Sequence, residues 1–169
     1  MSENPGLVKR LFITDKVNPD GFYKVRLCKS GEWTVMTVDD YFPCYANGGP
    51  IFTFGEGSEL WVMLLEKAYA KAHGSYFSLS GISASDSIED LTGCPVTTFN
   101  IPDDDIEDYQ DEVEQYWQKM LDANDSGHLI FGSSSKLDKY KEKDPYGNVC
   151  SPHAFAIIDV KEGDSARLL

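Results

Sequence analysis

His153 stands at the head of "HAFAIIDV", three residues after Cys150, in a segment "GNVCSPHAFAIIDV" that leads from a turn-like "DPYGN" into apolar residues. An imidazole at the start of a buried strand is placed to act as a general base, because burial and a neighbouring thiolate tune its pKa towards neutrality. The same position also suits a histidine that merely ends a strand, and spacing alone favours that structural role. Cys150 and His153 resemble half a zinc site, but no second pair stands at ligand spacing, and structural zinc takes four ligands. They also resemble a thiol–imidazole pair, yet no recognisable helix N-terminus lies behind Cys150 to favour a thiolate. His73 falls at a helix C-terminus, where a cation is favoured, and His128 opens a strand without an identifiable partner. Cys28 lies inside a strand pattern, Cys44 follows a proline and Cys94 precedes one. "GISAS" and "GSSSK" have neither the spacing of a nucleophile elbow nor that of a P-loop.

The elements that must position these residues can be read from periodicity and punctuation. "NPDG" at 18–21 is a turn, and "FYKVRLC" and "EWTVMTVDD" around "KSG" form a hairpin pattern with Gly31 at positive φ. "IFTF" suggests a third short strand. "GEGSELWVMLLEKAYAKAHGSY" reads as a helix with Ser58 as N-cap, Glu59 complementing the dipole and Gly74 at its C-terminal stop. Leu60, Met63, Leu64, Ala68 and Ala72 form its apolar stripe, widened by Trp61, Leu65 and Tyr69, so the helix is expected to be deeply buried. "SASDSIEDLTG" reads as a short capped helix, and a subdomain boundary is expected near Gly93. "CPVTTFN", "HLIFGSSS" and "HAFAIIDV" are strand candidates. Between Asp103 and Glu114 eight of twelve residues are acidic, which suggests a calcium loop. Ile106, Tyr109, Val113, Trp117, Met120 and Leu121 run through the segment at helical spacing, and a helix with acids in its first turns is the better reading. Hairpin and helices followed by strand, helix and strands make an α+β chain.

Bulk properties exclude several function classes. At 169 residues the chain fits one domain or two halves of something larger, and 41% hydrophobic with 12% aromatic residues suffices for a core. With 28 acids against 15 bases the net charge is −13, which disfavours a nucleic-acid or anionic-membrane surface. No apolar run reaches the ~18 residues of a membrane span, and "MSENPGLVKRLF" lacks the apolar centre of a secretory signal. The four cysteines are widely spaced without a CxxC pair, so free thiols in a reducing, cytoplasmic compartment are expected.

Four segments carry the reading further. "GEWTVMTVDDYFP", "GEGSELWVMLLEKAYAKAHGSYFSLSG", "EDLTG" and "SPHAFAIIDV" resemble, in that order and at suitable separations, the calpain protease core. The resemblance covers nearly the whole chain and weakens only around residues 100–125. It implies part of a papain-like, calcium-dependent, intracellular cysteine endopeptidase core. Residues 1–93 would be the C-terminal part of its first subdomain, and residues 94–169 the N-terminal part of its second. The family's catalytic histidine falls on His153, which would hold the nucleophile as a thiolate and later protonate the leaving amine. The family's nucleophile lies in a "GDCW"-like segment and its asparagine in an "RNPWG"-like one, and neither occurs here. "SENPGLVKRLF" resembles the stretch just downstream of the nucleophile helix, so the chain is expected to begin after the cysteine and stop before the asparagine. Cys150 would then be a bystander and the chain inactive alone. The implied partners are protein substrates or peptides, the missing core segments, or a second copy through the apolar face left by the absent helix. A catalytically dead calpain-like binding or regulatory module is the alternative, and an unrelated acidic calcium-binding protein a third. The family's calcium ligand in the "EGSE-aromatic" stretch falls best on Glu59, with Glu56 next. Calcium needs six to eight oxygen ligands, and a residue that complements the helix dipole fits Glu59 equally well.

Overall fold

The computed structural model describes residues 4–100, 110–133, 154–163 and 167–168. The chain divides into two compact units, Met1–Thr97 and Thr98–Leu169. The sequence boundary near Gly93 lies four residues before that division.

The first unit is built on a hairpin. Strands β1 (Phe22–Lys29) and β2 (Glu32–Asp39) pair antiparallel from Phe22↔Asp39 to Lys29↔Glu32. Ser30 (φ 52°) and Gly31 (φ 81°) turn the corner. Two central residues at positive φ make the turn whose twist matches that of paired strands, and Gly31 adopts it without steric cost. Tyr23, Val25 and Leu27 alternate onto one face and are buried with Leu11, Val38, Leu64, Ala68 and Tyr69. Helix α1 (Pro5–Leu11), which periodicity did not reveal, lies against this face through Leu11. Its proline sits in the first turn, where no N–H is needed. Arg26 Nε donates to the Arg10 carbonyl, in the last turn of α1, at 2.5 Å.

Helix α2 (Trp61–His73) covers the core side of the hairpin with Leu64, Ala68, Tyr69 and Ala70 buried; of its residues only Lys71 is fully exposed, as the broad apolar stripe implied. Ser58 is not its N-cap. The residues before the helix form a turn closed by Glu59 N–H on the Glu56 carbonyl (3.3 Å). That turn holds Ser58 within it and leaves Leu60 as the flanking residue, whose carbonyl accepts from Leu64 N–H at 2.9 Å. Close packing dictates the turn, since a Cβ on Gly55 would collide with the Glu59 carbonyl oxygen. Gly74 (φ 98°) ends the helix as expected, donating to the Lys71 carbonyl.

After a 3-10 turn at Phe77–Leu79, helix α3 (Ala84–Thr92) has both caps the sequence implies. Ser83 Oγ accepts from Asp86 N–H at 3.0 Å, and Gly93 (φ 69°) donates to the Glu89 carbonyl at 2.8 Å. Two strand expectations fail here. Residues 51–54 are bend and coil: Phe52 stacks on Tyr76 (centroids 4.2 Å), while Thr53 N–H and Oγ1 both donate to Glu66, so side-chain anchors replace a ladder. Residues 94–100 form no strand either, because Pro95 lacks a donor and Val96 N–H goes to Glu89 Oε1 at 3.1 Å.

In the second unit helix α4 (Gln110–Asp125) carries Asp111 and Glu112 in its first turn and buries Trp117, which favours the helical reading of the acidic segment. Residues 103–109 of that segment lie outside the described residues. Gly127 (φ 69°) closes the helix: its N–H meets the Asn124 carbonyl and that of His128 meets the Ala123 carbonyl, both at 2.9 Å, the paired bonds of a Schellman cap. Strand β3 (Ile130–Ser133) pairs antiparallel with β4 (Ala154–Ile157), and β5 (Lys161–Glu162) with β6 (Arg167–Leu168). The expectation of a fully buried run after His153 is corrected. Ala154 and Ala156 are exposed while Phe155 and Ile157 are half-buried, the alternation of a strand with one covered face. Among the described residues, four α-helices with small antiparallel sheets give the expected α+β class.

Gly93 makes a test of the first unit. A Cβ there would sit 2.9 Å from Trp33 Cζ2 and 3.4 Å from Cys28 Sγ, on a backbone at positive φ. Gly93→Ala is expected to cost about 1–3 kcal/mol, measured by urea unfolding with Trp fluorescence.

Candidate functional site

His153 immediately precedes β4 and lies outside the described residues, as does Cys150. What is described is the strand that follows it in the chain. Ala154 pairs with Ser133 and Ile157 with Ile130. Beyond β4, Val160 is buried and its N–H donates to Asn124 Oδ1 at 3.1 Å, next to the Schellman cap. The strand is thus held by a ladder along its length and by the end of α4 just after it.

Glu59 is exposed, and its Oε2 accepts from the Trp61 indole N–H at 3.2 Å. It offers one carboxylate. Among the described residues no three His, Cys, Asp or Glu side chains converge as a metal site. The described side chains therefore do not fit a calcium site that needs six to eight oxygens.

Cys28, Cys44 and Cys94 are free thiols, and none stands at a helix N-terminus. Cys28 is buried on β1 across from Trp33. Cys44 Sγ donates to the Phe42 carbonyl (3.5 Å) and Cys94 Sγ to the Thr92 carbonyl (3.8 Å). Cys94 follows the C-terminus of α3, the negative end of its dipole, a setting opposed to the one that stabilises a thiolate.

A dense polar cluster in the first unit is one that sequence reasoning missed. Asp90, only 7% exposed, receives Lys29 Nζ (3.1 Å) and the Tyr69 hydroxyl (3.1 Å) on one oxygen, Oδ2, and His73 Nε2 lies 3.2 Å from the same atom. One carboxylate thereby joins the end of β1, two turns of α2 and the inward face of α3. Burial, with the Asp90 and Asp86 carboxylates adding to it, pushes the Tyr69 phenol up to about 12. The available signal was spacing: Tyr69 and His73 at i, i+4 and Ser87 and Asp90 at i, i+3 put polar pairs on facing stripes of two helices otherwise read as apolar.

A second charged contact straps β2 to α2. Lys67 Nζ donates to Asp39 Oδ1 at 2.6 Å and to the Tyr41 carbonyl at 2.5 Å. The Lys67 hydrogen bond, with Tyr41 N–H, lowers the Asp39 carboxyl below its usual value. A depression of about 290 Å³ beside this pair is lined by Thr37, Asp39, Lys67, Lys71 and Tyr76. Its lysines already serve protein acceptors, Lys71 Nζ reaching the Thr37 carbonyl at 2.7 Å.

An α+β chain whose second unit leads a histidine into an antiparallel strand is consistent with part of a papain-like protease core. Comparison with known proteins makes this specific. Residues 1–168 match the model of the calpain family of cysteine proteases, and the chain belongs to that family. It is 35% identical over 168 residues to the calpain-type cysteine protease ADL1 of Oryza sativa subsp. japonica, covering 96% of this chain and 7% of that protein. Identity to the calpain-type cysteine protease DEK1 of Zea mays is likewise 35% over 168 residues. Against the calpain-1 catalytic subunit of Rattus norvegicus it is 32% over 145 residues, 84% of this chain and 19% of that protein. The chain thus spans less than a fifth of the length of these curated relatives. Among the described residues no helix is long and apolar enough to cross a membrane.

The Tyr69 phenol sets an alkaline limit. Its folded pKa lies above the ordinary tyrosine value of 10.0, at about 12. Its contribution to stability is therefore complete below pH 10 and lost as pH rises through 12. Wild type is expected to lose about 2 kcal/mol more than Tyr69→Phe between pH 9 and 11.5, read by urea unfolding at both pH values.

Proposed function

We propose that residues 1–169 form the histidine-bearing part of a calpain-type cysteine endopeptidase. The observation that carries this is the family match over residues 1–168, with "SPHAFAII" leading into β4 where the catalytic histidine of such proteases is expected. His153 acts as the base. It pairs with a thiolate, the thiolate attacks the scissile carbonyl to form an acyl-enzyme, and the imidazolium returns a proton to the leaving amine. Residues 1–93 serve as the C-terminal part of the first core subdomain and 94–169 as the N-terminal part of the second. Protein or peptide substrates follow from the family, and the free thiols are in keeping with a cytoplasmic setting.

None of the described thiols suits the nucleophile, and Cys150 is assigned no catalytic part. On this reading the nucleophile is supplied from outside these 169 residues, on the same polypeptide or another. Incubated with calcium and an unstructured protein substrate, the 169-residue chain is expected to leave the substrate uncut. Mixed with a calpain fragment carrying the nucleophile helix, it is expected to cleave, and His153→Ala is expected to abolish that cleavage. Proteolysis by the chain alone that Cys150→Ala removes would overturn the assignment.

Glu59 is proposed as one ligand of a calcium site whose remaining oxygens lie outside the described side chains. Calorimetry should find no uptake at micromolar calcium for the chain alone. In the reconstituted protease, Glu59→Gln should raise the calcium needed for half-maximal activity about tenfold or more, in line with loss of a charged ligand. An unchanged calcium requirement would remove Glu59 from the site. A catalytically dead binding module remains the second reading, motivated by the lack of a nucleophile segment in these residues. Failure of every nucleophile-bearing fragment to restore cleavage, with binding retained, would favour it.

A further inference from the structure

Lys29 Nζ, His73 Nε2 and Asp90 Oδ2 stand at the corners of a triangle. Lysine to aspartate is 3.1 Å, lysine to histidine 3.1 Å and histidine to aspartate 3.2 Å. A ring nitrogen has a single in-plane site, holding either a hydrogen or a lone pair. Nε2 therefore cannot donate to Asp90 and accept from Lys29 at once, and the ring's protonation state decides which contact is a bond.

With the ring neutral and its hydrogen on Nδ1, the Nε2 lone pair accepts from Lys29. The ammonium, which has three donors, then bridges aspartate and imidazole. With the ring charged, Nε2–H turns to Asp90 and the imidazolium faces the ammonium at 3.1 Å. One cation must yield. The Lys29 side chain is 40% exposed and that of His73 only 15%. An ammonium on a flexible stem is readily hydrated, so Lys29 is the one that leaves. The other groups facing the site do not displace this balance. From α2 the Tyr69 hydroxyl donates to Asp90 at 3.1 Å. On α3, Asp86 acts on the site through the Tyr69 phenol. From β1, beside Lys29, Cys28 is buried against the Gly93 end of α3.

We propose that His73 operates the hairpin tip as a proton-dependent strap. When it is neutral, Lys29 ties the end of β1 to Asp90 of α3; when it is protonated, His73 takes Asp90 over and Lys29 is released to water. Helices α2 and α3 stay joined in both states, through Tyr69 and then also His73. The tip, from Lys29 through Ser30 and Gly31 to Glu32, is the part that loosens. This device does not depend on the protease reading, because every atom in it belongs to the first unit.

The test uses the full 169-residue chain. Imidazole ¹⁵N shifts of His73 are recorded from pH 8 to pH 5, with hydrogen-exchange protection of the Lys29 and Glu32 amides corrected for intrinsic rates. Neutral His73 is expected as the Nδ1–H form, and the two protection factors are expected to fall about tenfold as the ring takes up its proton. His73→Gln should hold them constant over the same range. A neutral Nε2–H form would overturn the proposal, as would an equal fall in His73→Gln. The ¹⁵N measurement needs no variant, so the proposal stays falsifiable if His73→Gln does not fold.

Discussion

A carboxylate removed from water must be matched by donors, and Asp90 is where the first unit meets that requirement. Its Oδ2 gathers the ammonium of Lys29, the hydroxyl of Tyr69 and the imidazole of His73 from two other elements. Deleting one donor from such a cluster leaves a buried charge short of partners, which costs more than the contact itself contributes. The cluster therefore specifies relative position as well as stability. Helix α3 seats on α2 and the hairpin in the register that brings Asp90 to the Lys29 ammonium, the Tyr69 hydroxyl and the His73 ring.

That seating has a second half on the other side of the sheet. Cys28 and Trp33 are cross-strand partners pointing away from Tyr23, Val25 and Leu27. Gly93, the left-handed cap of α3, lies directly against that pair. Lys29 on one face and the Cys28–Trp33 pair on the other are thus gripped by the same helix end. Neither half would serve with a larger cap residue, so the glycine's lack of a Cβ and the aspartate's charge act on one docking event. In the second unit the comparable constraint is Asn124, whose side chain holds Val160 just past the strand that follows His153.

Much of this was legible in the sequence because it is local. The hairpin, the helix ended by Gly74, the Ser83 and Gly93 caps of α3 and the helix of the acidic segment each depend on residues a few positions apart. The expectations that failed depended on distant partners. "IFTF" has strand-like composition, but Tyr76 and Glu66 fix it as coil. "CPVTTFN" loses its ladder to Pro95 and to a bond from Glu89. Ser58 has the residue type of a cap, but the packing of Gly55 on the Glu59 backbone holds it inside a turn. For the candidate site, position at a strand head drew attention to His153 and family resemblance gave it and Glu59 their roles, whereas periodicity treated α2 as an apolar helix and so passed over Tyr69 and His73 as polar partners. No short window contains both Lys29 and Asp90.

The separation of that pair has a kinetic consequence. Lys29 and Asp90 are 61 residues apart in the chain. At about 5–20 residues per second of synthesis, the hairpin waits roughly 3 to 12 seconds for its aspartate. During that interval Cys28 and Trp33 have no α3 to cover them, and the nascent first unit shows an uncapped strand pair to whatever is near the ribosome. The carboxylate that locates the helix is also what brings Cys28 under cover, Trp33 staying 44% exposed in the folded unit.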